Sequence, residues 1–433
     1  MKVKMDPTPG LLRFILEPEE NDILEPNENV SLGSKEIEIH LPWQLDPETI
    51  HPDHLALCIM MITHPFVGKS LTFPKAVSLR FGNRHNSSPS RYTIGPVDES
   101  LESWSPSESA RPGLAFSGGV DSTAALALMP PTTVPIFMDR PLRKKSLYDK
   151  DAVHHSCLEV ERLGYDMHVI LCDLEYVRSP VGFPVDVANS VPAVLMAGYL
   201  NLDCIGFGTI MESTYGTGHS KYRDYPNGHH YTLWGGLFKA AGIPFILPVA
   251  GISEVGTSMI VNKAPIGLVA QSCMRGTWKN PCLNCWKCFR KQLLDNAILE
   301  NALNPEYLDD IFNNKEACRF LARIPIKHEN ILAWSTHRLN SNHALFSLLK
   351  TRVAGAEEDL SWLGKWYSPS IELMPNKYRS GIEDKILRYI PAMTQEDENL
   401  LTSWNMQELI DSEITVQQSE RLIRVMNTAL TPR

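Results

Sequence analysis

Gly113-Leu114-Ala115-Phe116-Ser117-Gly118-Gly119-Val120-Asp121-Ser122 runs from a short apolar stretch into a glycine turn, and a helix-like run, Thr123-Ala124-Ala125-Leu126-Ala127-Leu128-Met129, follows it. A strand, a glycine turn and a helix start in that order make a phosphate cradle. Successive backbone N–H groups and the positive end of the helix dipole converge on one anion. Gly118 and Gly119 let the backbone turn sharply and approach a ligand with no Cβ in the way. Ser117 and Ser122 add hydroxyl donors, while Asp121 can hold Mg2+ or tie the loop together. The stretch is not a Walker loop, which needs G-x-x-x-x-G-K-[ST]. The nearest approach to that pattern, Gly68-Lys69-Ser70, has Thr63 where the first glycine belongs.

Working outward, 433 residues are enough for two or three domains with a sizeable core. Apolar residues make up 43% and charged ones 21%, the balance of a soluble globular protein. No apolar run approaches the roughly 18 residues of a membrane span, and the start, Met1-Lys2-Val3-Lys4-Met5-Asp6, does not read as a signal peptide. A cytoplasmic protein with no membrane partner is expected. The net charge of −9 argues against wholesale coating of nucleic acid but leaves a local basic site open.

Four of the nine cysteines, Cys273, Cys282, Cys285 and Cys288, crowd into one segment with the spacing C-x8-C-x2-C-x2-C. In a reducing compartment such crowding points to metal rather than disulfides. Two-residue gaps turn neighbouring thiolates toward one ion, and Cys273 can close the tetrahedron. Four thiolates suit Zn2+ in a closed structural site, with an iron–sulfur cluster as the rival.

The hexapeptide Ser117–Ser122 resembles the SGGxDS loop of the ATP pyrophosphatases, which cleave ATP between its α and β phosphates and place AMP on a substrate oxygen. Loop and cysteine site together resemble the 7-cyano-7-deazaguanine synthase (QueC-like) family. In that family SGGxDS opens the domain and a C-x7-9-C-x2-C-x2-C zinc site closes it. The likeness covers about 111–300 and includes Val191-Pro192-Ala193, Asp203-Cys204-Ile205-Gly206-Phe207-Gly208, Ile246-Leu247-Pro248-Val249 and Ile252-Ser253-Glu254-Val255. It implies an adenine nucleotide alpha hydrolase-like fold. It also implies an ATP site formed by Ser117, Gly118, Gly119, Val120, Asp121 and Ser122, with Asp121, Ser117 and Ser122 as its catalytic members. Asp139 ends the second strand, where the superfamily contacts the nucleotide, or is a routine strand-end aspartate. Gly208 is expected at the nucleotide, and Glu212, at the end of a Gly-rich strand, either holds Mg2+ or reads the substrate's guanidine-like edge, or has a surface role. Two stretches depart from the family: Arg140-Pro141-Leu142-Arg143-Lys144-Lys145 after the second strand, and a loop at 212–231 rich in Tyr, His and Gly.

The central block alternates strands (113–116, 134–138, 167–171, 203–208, 245–249) with helices (123–129, 150–163, 191–200), so an α/β fold with a parallel sheet wrapped by helices is expected. Before it, Ile37, Ile39 and Leu41, then Val77, Leu79 and Phe81, alternate with polar residues as half-buried strands do. The organisation predicted is a β-rich domain at 1–85, a Ser/Pro-rich linker at 86–111, the ATP domain with its four-cysteine site at 112–300, and a helical region at 301–433. His219, Lys221, Arg223, His229 and His230 lie in a loop that can close over the site as a lid, although solvated loop residues are the commoner case. Arg275, Lys279, Lys287, Arg290 and Lys291 make a locally basic patch with no acid nearby, which can meet ATP phosphates, a nucleic acid or only solvent. His154 and His155 are expected to be structural.

The chemistry implied by the resemblance is adenylation of a carboxylate, 7-carboxy-7-deazaguanine, followed by attack of an amine, with ATP, Mg2+ and Zn2+ as cofactors. The product is an amide, or a nitrile after a second activation. QueC-like proteins with added domains occur in bacterial antiviral defence systems, and the resemblance extends to a protein amine acceptor from the same operon. The competing expectation is a tRNA or nucleobase sulfur-transferase of the same superfamily. A non-catalytic ATP-binding scaffold is a third.

Overall fold

The computed structural model describes residues 1–87, 90–143, 149–218, 221–303, 305–355 and 359–430. Lys144, Lys145 and His219 lie outside the described residues.

The first layer is a five-stranded mixed sheet built from β1 (Lys2–Thr8), β2 (Leu11–Glu17), β4 (Glu36–Ile39), β5 (Ser70–Ser78) and β6 (Thr93–Asp98), in the order β4-β2-β1-β5-β6. β1 and β2 form a hairpin that turns at Gly10, whose φ of 76° is the left-handed region a glycine enters freely. The inward side of β2 carries Leu12, Phe14 and Leu16, all buried. Helix α1 (Pro52–Thr63) is apolar on nearly every side and packs on β5. A buried helix needs no polar stripe.

Two sequence expectations change here. Val77, Leu79 and Phe81 do not share a strand. β5 ends at Ser78, whose hydroxyl accepts from the Phe81 N–H at 3.3 Å and caps helix α2 (Leu79–Asn86). Residues 86–111 are also not all linker, because β6 lies within them and pairs with β5. Pro96 is tolerated because β6 is an edge strand, where a missing donor costs no ladder bond.

The second layer is an all-parallel sheet of β7 (Arg111–Phe116), β8 (Val134–Asp139), β9 (His168–Leu171), β11 (Leu202–Gly206) and β12 (Phe245–Ile246), ordered β12-β11-β7-β8-β9. The short strands β3 (Ser31–Leu32) and β10 (Arg178–Ser179) pair antiparallel and tie the two layers together. The chain is therefore mixed α/β with a parallel sheet and many helices. Helices α3 (Val120–Leu128), α4 (Lys150–Arg162), α5 (Val191–Leu195), α6 (Met211–Thr214), α7 (Gly236–Ala240), α8 (Glu254–Lys263) and α9 (Trp286–Ile298) accompany the sheet, and α5 meets α1 of the first layer. β7 to β9 run one way across the sheet, and β11 and β12 lie on the other side of β7. The direction of winding reverses between β7 and β11, and such a switch point opens a crevice at the carboxyl ends of its strands.

The C-terminal region is helical: α10 (Pro305–Phe312), α11 (Lys315–Leu321), α12 (Glu329–Arg338), α13 (Ala344–Arg352), α14 (Asn376–Tyr389), α15 (Gln395–Thr402), α16 (Gln407–Asp411) and α17 (Glu413–Leu430). It shares the central core. Ile382, Ile386 and Ile390 are buried in one cluster with Leu114 and Phe116 of β7. Tyr378 donates its hydroxyl hydrogen to the Asp203 carboxylate at 2.8 Å. No helix among the described residues is long and apolar enough to cross a membrane.

Candidate nucleotide site and metal centre

Ser117–Ser122 joins the end of β7 to the start of α3, at the switch point. Gly118 has a φ of 72°, and a Cβ there would lie 2.9 Å from Val153 Cγ2, so glycine is required both by conformation and by space. The two serines bind each other rather than standing free. Ser117 Oγ lies 3.0 Å from Ser122 Oγ, and Ser122 Oγ donates to the Gly119 carbonyl oxygen at 3.2 Å. The hydroxyls thus hold the loop's shape, and the first-turn N–H groups of α3 are left to an anion.

Gly208, just past β11, faces this loop from across the crevice. A Cβ at Gly208 would sit 2.6 Å from the Ser122 nitrogen, so the backbones touch and any side chain would push them apart. Asp121 points toward α8, where Thr257 Oγ1 donates to its Oδ1 at 2.8 Å. Burial, then the Glu254 charge, raise the Asp121 carboxyl above its ordinary value, against the pull of Lys287.

Two adjoining cavities fill the crevice. One, of about 160 Å³, is lined by Ser117, Gly119, Asp121 and Ser122 of the loop together with Asn189 and Lys287. The other, of about 320 Å³, shares Asp121, Gly208 and Lys287 with it and reaches Phe207, Phe245, Glu254 and Arg290. The first also takes in Asp186, so two carboxylates line it with Lys287, and the second is the larger and partly aromatic.

Glu254 opens α8, whose cap is Ser253, accepting from the Val255 and Gly256 N–H groups at 3.0 and 3.3 Å. Arg290 donates to Glu254 Oε1 from Nη2 at 2.9 Å and from Nε at 3.3 Å, and both side chains are buried. Although burial opposes ionisation, Arg290 and His328 hold the Glu254 carboxyl down at about 2. Glu212 sits behind it. Its Oε2 accepts from the Glu254 N–H at 3.1 Å and its Oε1 from Asn330 Nδ2 at 3.2 Å. Burial, reinforced by the Glu254 charge, pushes the Glu212 carboxyl up to about 8, so it is largely neutral at pH 7.

The predicted residues are thus partly gathered. Ser117, Gly119, Asp121, Ser122 and Gly208 line the cavities. Glu212 is one layer back. Asp139 ends β8 as its position implied, but its Oδ2 is engaged by Lys150 at 2.7 Å and His154 at 3.3 Å, and it lines neither cavity. His154 therefore has a partner that its sequence context did not show. The basic patch is not without acids. Arg275 pairs with Glu316 at 2.6 Å, Arg290 with Glu254, and Lys291 with Asp295 at 3.0 Å. In the 212–231 loop, His230 lines the larger cavity and bridges Asp186 at 2.9 Å and the Tyr225 hydroxyl at 3.0 Å. Tyr222 N–H donates to the Trp404 carbonyl oxygen at 2.8 Å, which fastens the loop to the C-terminal region. Sequence reading missed Glu254, Asp186 and Thr257. The signal available for Glu254 was a lone acid directly after a helix-capping serine.

Cys273, Cys282, Cys285 and Cys288 come together with all four sulfur atoms within 4.8 Å of one another, the one such metal-ligating group found among the described residues. Tetrahedral zinc–thiolate bonds of about 2.3 Å imply sulfur–sulfur edges of roughly 3.8 Å, and Cys282 and Cys288 stand 3.9 Å apart. Backbone N–H groups already point at two of the sulfurs, Cys282 N at Cys273 Sγ and Cys288 N at Cys285 Sγ, each 3.4 Å away. The donor set fits zinc. Cys285 caps α9, which places Lys287 in its first turn and against both cavities.

A model of a family of unknown function (DUF6395) matches residues 233–405, which takes in Glu254, the cysteines and part of the C-terminal region but not the Ser117–Ser122 loop. No curated protein and no solved structure matches the chain.

Proposed function

We propose that the protein is an ATP-dependent, AMP-forming enzyme of the QueC-like kind, with an adenine nucleotide alpha hydrolase-like fold, that joins a carboxylate to an amine. The observation that carries this reading is the juxtaposition, across one parallel-sheet switch point, of the Ser117–Ser122 loop, Gly208 and Lys287 around two connected cavities.

In this reading the triphosphate lies along the N-terminus of α3, and Lys287 offsets its charge. Asp121 belongs to no group of three or more potential metal ligands among the described residues, and Asp186 lines both cavities with it. Mg2+ would accordingly be held mainly by phosphate oxygens with Asp121 as one protein contact, the usual mode for that ion. Bound there, Mg2+ supplies charge neutralisation on the departing pyrophosphate. An oxygen of the substrate carboxylate attacks the α-phosphorus, the bond to the β-phosphate oxygen breaks, and pyrophosphate leaves with the electron pair. An amine then attacks the acyl carbon, AMP leaves, and the amine gives up a proton. The acid proposed is 7-carboxy-7-deazaguanine. The amine is ammonia or a protein amine encoded alongside, as in an antiviral defence system.

Mass spectrometry of the full chain with ATP, Mg2+ and 7-carboxy-7-deazaguanine tests the reading, with ammonia in one arm and co-encoded proteins in the other. An amide, a nitrile, or a protein heavier by the acid minus water supports it. Sulfur incorporation into tRNA instead would move the protein to the sulfur-transferases. Among the residues lining the two cavities none is a cysteine, which favours ligation over sulfur transfer.

A further inference from the structure

Three properties meet in Glu254. It is 95% buried, being 5% exposed, and it lines the larger cavity. One oxygen, Oε1, takes both bonds from Arg290. The other, Oε2, has no hydrogen-bond partner, and His328 Nδ1 stands 3.9 Å from it. A buried carboxylate oxygen left unmatched costs free energy, so such groups call for a partner. The cavity offers a matching shape. Phe207 and Phe245 meet edge to face, with centroids 5.1 Å apart at 74°, and form an aromatic corner in the wall of the same cavity. An aromatic corner receives a flat ring. An acceptor beside a guanidinium suits a ring edge that carries N–H donors next to a carbonyl.

We infer that Glu254 is the specificity-determining residue of this site, accepting hydrogen bonds through Oε2 from the ring N–H and exocyclic amino group of a 2-aminopyrimidinone-type base, with Arg290 as its positioning residue. The inference rests on the proposed ligase reading and names the residue that reads that substrate's edge. A carboxylate held ionised by a guanidinium stays an acceptor across the physiological pH range. It is a poor general base for the same reason, which separates recognition from proton transfer. Glu212 behind it, being largely neutral, adds no second negative charge to repel the ligand.

The test compares binding of 7-carboxy-7-deazaguanine with binding of its analogue lacking the 2-amino group, by calorimetry on the full chain, for the native protein and for Glu254→Gln. The native protein should prefer the amino-bearing base by tenfold or more, and Glu254→Gln should lose most of that preference. Gln keeps an oxygen for Arg290 but presents a donor where the substrate also donates. An equal affinity of the native protein for both bases overturns the inference without any variant. So does a preference unchanged in Glu254→Gln. If AMP still forms with the acid in either case, the ligase reading survives and only the role of Glu254 falls. Failure of both bases to bind, with no AMP formed, overturns both.

Discussion

The Gln271 backbone N–H donates to the carbonyl oxygen of Gly118 at 2.7 Å. Gln271 stands two residues before the first cysteine of the candidate metal centre, and Gly118 is the left-handed turn of the Ser117–Ser122 loop. The segment that would carry the metal is thus bonded directly to the loop that would carry the nucleotide. Ser156 reinforces the join by donating to the Val269 carbonyl oxygen at 2.7 Å.

Metal removal should therefore weaken nucleotide binding as well as the fold. Cys285→Ser, or prolonged chelation, is expected to lower metal content by elemental analysis and to lower the melting temperature, since structural zinc contributes directly to folding. ATP affinity should fall tenfold or more, because both the Gly118 anchor and Lys287 depend on the same segment. Unchanged ATP binding by a folded, metal-free variant would show the two sites to be independent.

Gly208→Ala adds one methyl group where only 2.6 Å separates its carbon from the Ser122 nitrogen. Overpacking of this kind costs about 1–3 kcal/mol. The strain falls on the start of α3. A loss of nucleotide affinity larger than the loss of melting temperature suggests is the expected pattern, read by calorimetry and thermal denaturation together.

Glu212 gives a pH signature. Its carboxyl is raised from 4.5 to about 8 in the folded state, so between those values the native state holds a proton that the unfolded state releases. Native stability from this group then falls as pH rises through that window, by about 1.4 kcal/mol per unit at most. Glu212→Gln removes the titration. The variant should gain stability relative to the native protein as pH goes from 5 to 8, measured by urea denaturation. A constant difference across that range would contradict the burial argument.

Lys287→Met removes the cation shared by both cavities while keeping much of its apolar stem. ATP binding should weaken roughly tenfold and become less sensitive to salt, with little change in metal content. Loss of metal as well would mean that Lys287 supports the cysteine segment rather than the phosphates.

Much of this arrangement was legible beforehand for specific reasons. The Ser117–Ser122 loop and the C-x8-C-x2-C-x2-C run are local patterns whose geometry follows from adjacent residues. The strands of the parallel sheet show as continuous apolar stretches such as Val134-Pro135-Ile136-Phe137-Met138. What escaped notice depends on long-range meetings. Glu254 finds Arg290 from 36 residues away and Glu212 from 42. Asp139 looked like a nucleotide contact because it ends a strand, yet Lys150 and His154 from the following helix claim it. β6 was hidden by the serines and prolines around it, since edge strands tolerate a composition that reads as a linker.

The most direct test of the central claim is the nucleotide product. Purified protein given ATP, Mg2+, 7-carboxy-7-deazaguanine and ammonia should release AMP and pyrophosphate in equal amounts, and Asp121→Ala should abolish both while leaving the fold and metal content intact. Release of ADP and orthophosphate would contradict the account, because it would place the cleaved bond at the γ-phosphate and the Ser117–Ser122 loop in another kind of chemistry.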